Sequence, residues 1–212
     1  MKTNAVAERR VDAGRNGVPG DPTWDIALLF PHQGQWSVEE YLDLPSNRLV
    51  EYAEGRLEVL PMPTTLHQWI VFYLCRLLND FASSRGLGLT LPAPLRVRLW
   101  PDTFREPDVV FMLKAHRGRA GNEVWDGADL VMEVLSDTSE DRRRDLVVKR
   151  REYAKAGIAE YWLVDPKQQQ ITVLRLKGKS YLVHGRFKAG KTATSHLLAG
   201  FEVEVSTALA GP

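Results

Sequence analysis

The apolar run from Leu130 to Leu135 is the sequence feature that most constrains the fold, because Glu133 is its only polar residue. An apolar run of this length, without alternating polar residues, is typical of a strand that is covered on both faces of a sheet. A carboxylate inside such a strand is costly to bury unless something binds it. The run therefore predicts a central strand that carries one functional acid.

A helix and a second strand follow this run. Thr138 or Ser139 is the expected N-cap of the helix, which we expect to run to Ala156 and to stop at Gly157. The next predicted strand is Glu160–Asp165. A strand, a helix and a strand with short links predict a right-handed crossover between parallel neighbours in one sheet.

The remaining patterns complete a mixed β-sheet flanked by two principal α-helices, an α/β (mixed α+β) fold. They are a short helix opened by a capping box at Ser37, a hairpin turning at Glu54-Gly55, a long helix opened by a capping box at Thr65–Gln68, strands at Leu95–Leu99 and Asp108–Leu113, and a hairpin around Lys177–Lys179. A chain of 212 residues suits one domain, which we expect over residues 37–212. Residues 1–36 are rich in Gly, Asp, Arg and Pro and are expected to form a loosely ordered N-terminal extension.

The charge and the single cysteine narrow the classes of function. With 28 Lys+Arg against 27 Asp+Glu, the formal net charge is +1, so a binding face for nucleic acid must come from local sorting of charge. Cys75 has no internal disulfide partner, and no apolar segment suits a signal peptide or a membrane span. We therefore expect a cytoplasmic protein that does not associate with a membrane.

Lys149 lies on the inward side of the predicted helix. Arg142, Leu146, Lys149 and Tyr153 are spaced by four, three and four residues and share one stripe. The lysine either extends its amine to the edge of the sheet or pairs with Glu133 on the preceding strand. A structural ion pair alone explains these two residues poorly, since such pairs are at best neutral beside apolar replacements.

Asp108 is the third charged residue that the pattern places in a core element, because it follows Pro107 at the start of a predicted strand. Two neighbouring carboxylates repel each other unless a cation lies between them. Oxygen ligands with room for water suit Mg²⁺ or Mn²⁺. Asp108 and Glu133 are therefore candidate metal ligands.

Five phrases of the sequence, in their order, resemble a known family. They are Val50–Leu57, Leu66–Gln68, Glu106–Val109, Val131–Ser136 and Lys149–Asp165. Together they resemble the Uma-type (Uma-two) family of restriction endonucleases, within the PD-(D/E)XK nuclease superfamily. That resemblance, which extends from Ser37 to Phe201, implies a restriction-endonuclease-like core in which helices flank a mixed sheet.

The resemblance implies a role for five side chains. Asp108 and Glu133 are the implied metal ligands, and Lys149 is the implied catalytic lysine. Glu51 is an implied supporting acid of the catalytic site, and His67 matches a recurrent family position that makes it a candidate supporting residue.

The sequence departs from the superfamily pattern at one position. Many nucleases carry the lysine two residues after the strand acid, where this chain has Leu135. Lys149, one helix later, would have to bring its amine to the same place.

The resemblance implies a metal-dependent endonuclease that hydrolyses phosphodiester bonds in nucleic acid, with DNA as the expected substrate and Mg²⁺ or Mn²⁺ as the cofactor. Arg142, Arg143 and Arg150 are candidate contacts to backbone phosphates, although a solvated helix face explains them equally well. A homodimer is a further expectation. The alternatives are a catalytically silent nuclease-like module that binds nucleic acid or a protein partner, and a structural domain with an internal bridge between Glu133 and Lys149.

Overall fold

The computed structural model describes residues 30–45, 48–136 and 138–211 of the chain. In chain order, the strands are β1 (Val50–Ala53), β2 (Arg56–Val59), β3 (Gly88–Pro92), β4 (Arg96–Trp100), β5 (Thr103–Arg105), β6 (Val109–Leu113), β7 (Val124–Asp126), β8 (Leu130–Val134), β9 (Glu160–Asp165), β10 (Gln170–Lys177), β11 (Ser180–Lys188), β12 (Thr192–Thr194) and β13 (Glu202–Glu204). The α-helices are α1 (Val38–Leu42), α2 (Thr65–Ser84), α3 (Ser139–Arg143), α4 (Arg150–Lys155) and α5 (Val205–Leu209). A 3₁₀ turn covers Lys114–Arg119, and a π-helical stretch, Arg144–Lys149, joins α3 to α4 and is called the π segment below.

Six strands form the larger sheet, in the order β11-β10-β9-β8-β6-β3. Strands β8 and β9 are parallel, with Leu130 opposite Glu160 and Val134 opposite Val164. The other neighbouring strands are antiparallel. The chain crosses from β8 to β9 through α3, the π segment and α4. The predicted parallel pair and the predicted mixed sheet flanked by helices are therefore confirmed.

Helices cover both faces of this sheet. On one face, Leu74 of α2 packs in the same core as Met132 of β8. On the other face, Tyr153 of α4 packs in the same core as Val131 of β8. All five residues of β8 are buried, as predicted for a strand without a wet face. Because side chains alternate along a strand, Glu133 shares its face with Val131 and points toward the α4 side.

A second sheet, ordered β2-β1-β5-β4-β7, has a small aromatic core of its own. Tyr41 of α1 stacks on Tyr52 of β1 with the ring centroids 5.2 Å apart, and the ring of Phe104 in β5 lies 5.4 Å from that of Tyr41. Strands β1 and β5 are antiparallel neighbours. This pairing places Glu51 of β1 beside the segment that leads from β5 to Asp108 and β6.

Residues 30–36, which fall within the predicted extension, contact the turn between β1 and β2. The backbone N–H of Gly34 donates to the carbonyl of Gly55 at 2.7 Å, and Phe30 stacks on Trp36 with the centroids 5.8 Å apart. Gly55 has φ +76°, and a Cβ there would lie 2.7 Å from the carbonyl oxygen of Gly34, so both the turn and this contact require glycine. Residues 1–29 of the predicted extension lie outside the described residues, and the division at residue 37 stays a prediction.

The structure corrects the start of the long helix α2. Its N-cap is Thr64 rather than Thr65, because Oγ1 of Thr64 accepts the backbone N–H of His67 at 3.1 Å. Gln68 therefore lies one residue too far along to close a capping box. None of the helices in the described ranges is long and apolar enough to span a membrane.

Strands β3, β5 and β7 are among the elements that the sequence pattern does not predict. They have five, three and three residues, respectively. Strand β3 begins with Gly88 and ends with Pro92, two residue types that are depleted in strands. Pairing with β6 nevertheless holds it at the edge of the larger sheet.

Candidate active site

Lys149 is the centre of a buried cluster of charged side chains. Its Nζ lies 2.9 Å from Oε1 of Glu51 and 2.9 Å from Oε1 of Glu133, and 3.5 Å from Oδ1 of Asp145. Only 1% of the Lys149 surface is exposed. The structure therefore brings the amine from the helix to the strand acid, although Leu135 stands where a strand lysine would be.

The buried face of this helix contains a different set of residues from the predicted stripe. Asp141, Asp145, Lys149 and Tyr153, each four residues apart, are buried, whereas Leu146 is 37% exposed. The physical reason is the π segment, whose backbone hydrogen bonds reach five residues back instead of four and so widen the turn. The prediction that Leu146 faces inward is wrong, and Asp145 takes the inward position.

Glu133 uses only one of its carboxylate oxygens in contacts with the protein. Its Oε1 accepts hydrogen bonds from Nζ of Lys149 at 2.9 Å and from the hydroxyl of Tyr153 at 2.7 Å. Among the described residues, Oε2 has no hydrogen-bond partner. Burial raises the pKa of Glu133, and the negative charges of Asp145 and Asp108 add to that effect, while Lys149 opposes it.

Asp108 lies at the same end of β8. Its Oδ2 accepts the backbone N–H of Val134 at 2.7 Å and lies 3.3 Å from Nε2 of His67. Its Oδ1 has no hydrogen-bond partner within the part of the chain that the structure describes. Burial lowers the pKa of His67, but the hydrogen bond and the charge of Asp108 outweigh burial and raise it above its ordinary value. Asp108 and Glu133 thus each keep one carboxylate oxygen without a hydrogen-bond partner in the described part of the chain.

Glu51 is fully buried beneath Lys149. Its Oε1 also accepts the backbone N–H of Glu106 at 3.2 Å, and its Oε2 lies 3.3 Å from Nη1 of Arg105. Burial raises the pKa of Glu51, but the positive charges of Lys149 and Arg105 outweigh burial and lower it. Arg105 is held in turn by two hydrogen bonds of 2.7 Å to Glu152.

The cluster contains acids that the sequence did not single out. Glu106 accepts a hydrogen bond from the backbone N–H of Val50 at 3.0 Å. Burial raises the pKa of Glu106 to about 7, and the negative charge of Glu51 adds to this effect. Asp145 has a findable signal, since it precedes Lys149 by four residues on the same helix. Glu106 has none beyond its place before Pro107.

A pocket of about 300 Å³ opens onto this cluster. Its walls include Asp108, Glu133, Asp145 and Lys149 as well as the imidazole of His67. The described residues contain no group of three or more His, Cys, Asp or Glu side chains that would cage a metal ion. Mg²⁺, however, commonly binds through one or two carboxylates and keeps several waters. The two free carboxylate oxygens at the pocket fit a cation of this kind.

The three predicted phosphate-binding arginines lie apart from the cluster. Arg142 and Arg150 line a second pocket of about 200 Å³. Nη2 of Arg142 donates to Oδ2 of Asp165 at 2.5 Å, and Nη2 of Arg150 donates to the carbonyl of Tyr181 at 3.2 Å. Arg143 is exposed and has no ion-pair partner among the described residues.

Comparisons with known proteins find one matching family and a similar solved structure. The family model described as "Uma2: Putative restriction endonuclease" matches residues 38–207, a range that contains every residue of the cluster. A crystal structure described as "a putative nuclease belonging to DUF820 from Anabaena variabilis ATCC 29413" is similar, with a TM-score of 0.69 and 20% sequence identity. The match covers 85% of this chain and 98% of that chain, and at this identity it shows a shared fold. No curated protein matches the sequence.

Proposed function

We infer that this chain, which belongs to the Uma2 family of putative restriction endonucleases, is a metal-dependent endonuclease that cuts phosphodiester bonds in DNA. The observation that carries the proposal is the 2.9 Å contact between Nζ of Lys149 and Oε1 of Glu133 at the wall of a pocket that also contains Asp108. Two carboxylates can hold the metal ion, and an amine can stabilise the negative charge that develops during the reaction.

The proposed roles follow from the free atoms. Oδ1 of Asp108 and Oε2 of Glu133 would hold Mg²⁺ or Mn²⁺. When bound, such an ion lowers the pKa of its water and neutralises negative charge on a phosphodiester. The ammonium of Lys149 donates a hydrogen bond to Oε1 of Glu133, one of the two proposed metal ligands. It would orient the attacking water or stabilise the negative charge that develops on the phosphate oxygens.

The balance of charge in the cluster supports a cation site. Three carboxylates, of Glu51, Glu133 and Asp145, surround the single ammonium of Lys149. Arg105, beside Glu51, is shared with Glu152, and Arg144, beside Asp145, is shared with Glu58 and Asp141. Buried carboxylates that exceed their positive partners repel one another, and a divalent cation relieves that repulsion.

Glu51 and His67 would act as supporting residues. Glu51 contacts the amine of Lys149 through Oε1, and the lowered pKa of Glu51 keeps its carboxylate ionised. His67 contacts Oδ2 of Asp108 and leaves Oδ1 free. Glu51 would therefore orient Lys149, and His67 would orient Asp108, without either side chain contacting the substrate.

Arg143 is the best placed of the three arginines to contact a backbone phosphate, because it is exposed and unpaired among the described residues. Arg142 and Arg150 already donate to Asp165 and to Tyr181, which reduces their capacity to hold a phosphate. Contacts of this kind bind without sequence information and weaken as the salt concentration rises.

A second candidate function is a catalytically silent module that binds nucleic acid. The low exposure of Lys149, at 1%, favours it, because the amine is already paired inside the protein. Such a module would bind DNA with a strong dependence on salt and would not cut it when Mg²⁺ or Mn²⁺ is added.

The test is a cleavage assay on supercoiled plasmid and on single-stranded DNA with Mg²⁺, Mn²⁺ or EDTA. We compare the wild type with Glu133→Gln and Lys149→Met, and use Lys155→Met, on the exposed side of α4, as a matched control. We expect cutting that requires a divalent ion, is lost in the two cluster variants and is retained in the control. Equal cutting by all four proteins would exclude this cluster as the source, and DNA binding without cutting would favour the silent module.

A further inference from the structure

The ammonium of Lys149 has three N–H donors, but the described residues place only two hydrogen-bond acceptors at close range. Oε1 of Glu51 and Oε1 of Glu133 both lie 2.9 Å from Nζ. The third nearby oxygen, Oδ1 of Asp145, lies 3.5 Å away, which is an ion-pair distance. This oxygen is buried and has no hydrogen-bond partner among the described residues.

Arg144 does not satisfy that oxygen either. Its Nε lies 3.7 Å from Oδ1 of Asp145 and is itself buried without a hydrogen-bond partner. The other end of the guanidinium is held by Glu58 at 2.6 Å and by Asp141 at 3.0 Å. The arginine is thus drawn away from Asp145, and the lysine is the donor that remains.

A buried carboxylate oxygen without a hydrogen bond is costly, so its place in the structure needs a reason. Asp145 is 4% exposed, lines the pocket and lies in the π segment. Segments of this kind cost regular helical hydrogen bonding and occur frequently at functional sites. A shift of about 0.5 Å in either side chain would bring Oδ1 of Asp145 within hydrogen-bond distance of Nζ and complete three acceptors around three donors.

We propose that Asp145 is a positioning residue of the site, the third acceptor that fixes the orientation of the Lys149 ammonium. With three acceptors, the amine keeps its place when an oxygen of Glu133 is drawn toward a cation or a substrate. With two, the amine turns about its last bond each time Glu133 moves. The catalytic consequence rests on the proposed nuclease function, whereas the contact itself does not.

The contact is measured directly by NMR of the lysine ammonium in the wild-type protein without metal. The signal of Lys149 is assigned by its loss in Lys149→Met. We expect scalar couplings across hydrogen bonds from its Nζ to the carboxyl carbons of Glu51, Glu133 and Asp145. Couplings to the two glutamates without one to Asp145, or an ammonium that exchanges too fast to be observed, would overturn the proposal.

Asp145→Asn tests the consequence for the amine, with Asp141→Asn as the matched control. Asp141 is a buried acid one turn earlier on the same face, and its oxygens contact Ser136, Thr138 and Arg144 instead of Lys149. We expect hydrogen exchange of the Lys149 ammonium to become about tenfold faster in Asp145→Asn, the size of one lost hydrogen bond to a charged group, and to stay unchanged in the control. Equal exchange rates in the two variants would overturn the proposal.

Steady-state cleavage separates this proposal from the proposed function. If the wild type cuts DNA, we expect Asp145→Asn to lower kcat roughly tenfold while KM stays the same, because the variant misplaces an amine that acts in the transition state. A change in KM alone would contradict a positioning role. If the wild type does not cut DNA, the nuclease proposal fails, and the couplings and exchange rates still decide the role of Asp145.

Discussion

Replacing Lys149 with Met is expected to destabilise the protein strongly, and more strongly at pH 8 than at pH 5. The substitution keeps the unbranched shape of the side chain, shortens it by one atom and removes the ammonium that contacts both Glu51 and Glu133. Breaking a buried ion pair by deleting one partner costs about 3–5 kcal/mol, because the remaining charge is buried without compensation. We expect a loss of this size at pH 8.

The pH dependence follows from the protonation of the acids that remain. Burial already raises the pKa of Glu133 in the wild type, and loss of Lys149 should raise it further. The same loss removes the first of the positive charges that lower the pKa of Glu51, so that pKa should rise as well. A group with a raised pKa in the folded state contributes stability below its unfolded pKa and loses it as the pH rises through the folded value. At pH 5 the buried acids take up protons, so the expected cost falls to about 1–2 kcal/mol.

The measurement is urea unfolding at pH 5 and at pH 8 with EDTA present, followed by tryptophan fluorescence and by circular dichroism. Lys155→Met is the control, because Lys155 is exposed on α4 and lies over the ring of Trp100 at 3.8 Å. Its loss should cost less than about 1 kcal/mol at either pH. A cost below about 1 kcal/mol for Lys149→Met at pH 8, or a cost independent of pH, would refute the account of the cluster as a compensated buried charge.

Two further substitutions test other parts of the charge network. Glu106→Gln should stabilise the metal-free protein by about 1–3 kcal/mol at pH 8 and have little effect near pH 4.5, because the folded pKa of Glu106 is raised from 4.5 to about 7 and stability is lost as the pH rises through that interval. Glu160→Gln should cost about 2–3 kcal/mol, because Glu160 accepts the N–H groups of Trp162, His196 and Leu197, and an amide cannot accept them all. Urea unfolding measures both.

Each of these expectations has a contradicting result. A stabilisation by Glu106→Gln that is equal at both pH values would mean that ionisation of Glu106 is not the cause. A cost below about 0.5 kcal/mol for Glu160→Gln would mean that its acceptor oxygens are replaceable by water. Glu58→Gln, on the outer strand β2, is a control for the loss of one partly exposed charge.

Much of the larger sheet is predictable because it depends on local patterns. The buried strand at Leu130–Val134 and the parallel strand at Glu160–Asp165 are visible as apolar runs, and the helix between them is bounded by its cap and by Gly157. Strands β3, β5 and β7 are not predictable in this way, because strands of three to five residues depend on their neighbours for pairing.

Some residues of the charged cluster were predictable from the sequence, but their arrangement was not. An acid in an apolar strand and a lysine on an inward stripe identify Glu133 and Lys149, because burial of a charge is visible in the pattern around it. The predicted stripe, however, placed Leu146 on the inward face and did not include Asp145. In the structure the helix contains the π segment, in which Asp145 and Lys149 are buried and Leu146 is exposed.

The contact between Glu51 and Lys149 shows where the sequence alone stops. Local periodicity determined that β8 is buried, that Glu133 interrupts it and that Lys149 faces the sheet, because each property depends on residues that are close in the chain. The contact between Glu51 and Lys149 joins a strand of the second sheet to the helical connection that packs on the larger sheet, and the pairing of β1 with β5 helps to place Glu51 there. Contacts between distant segments depend on how whole elements pack, and that information belongs to the tertiary structure.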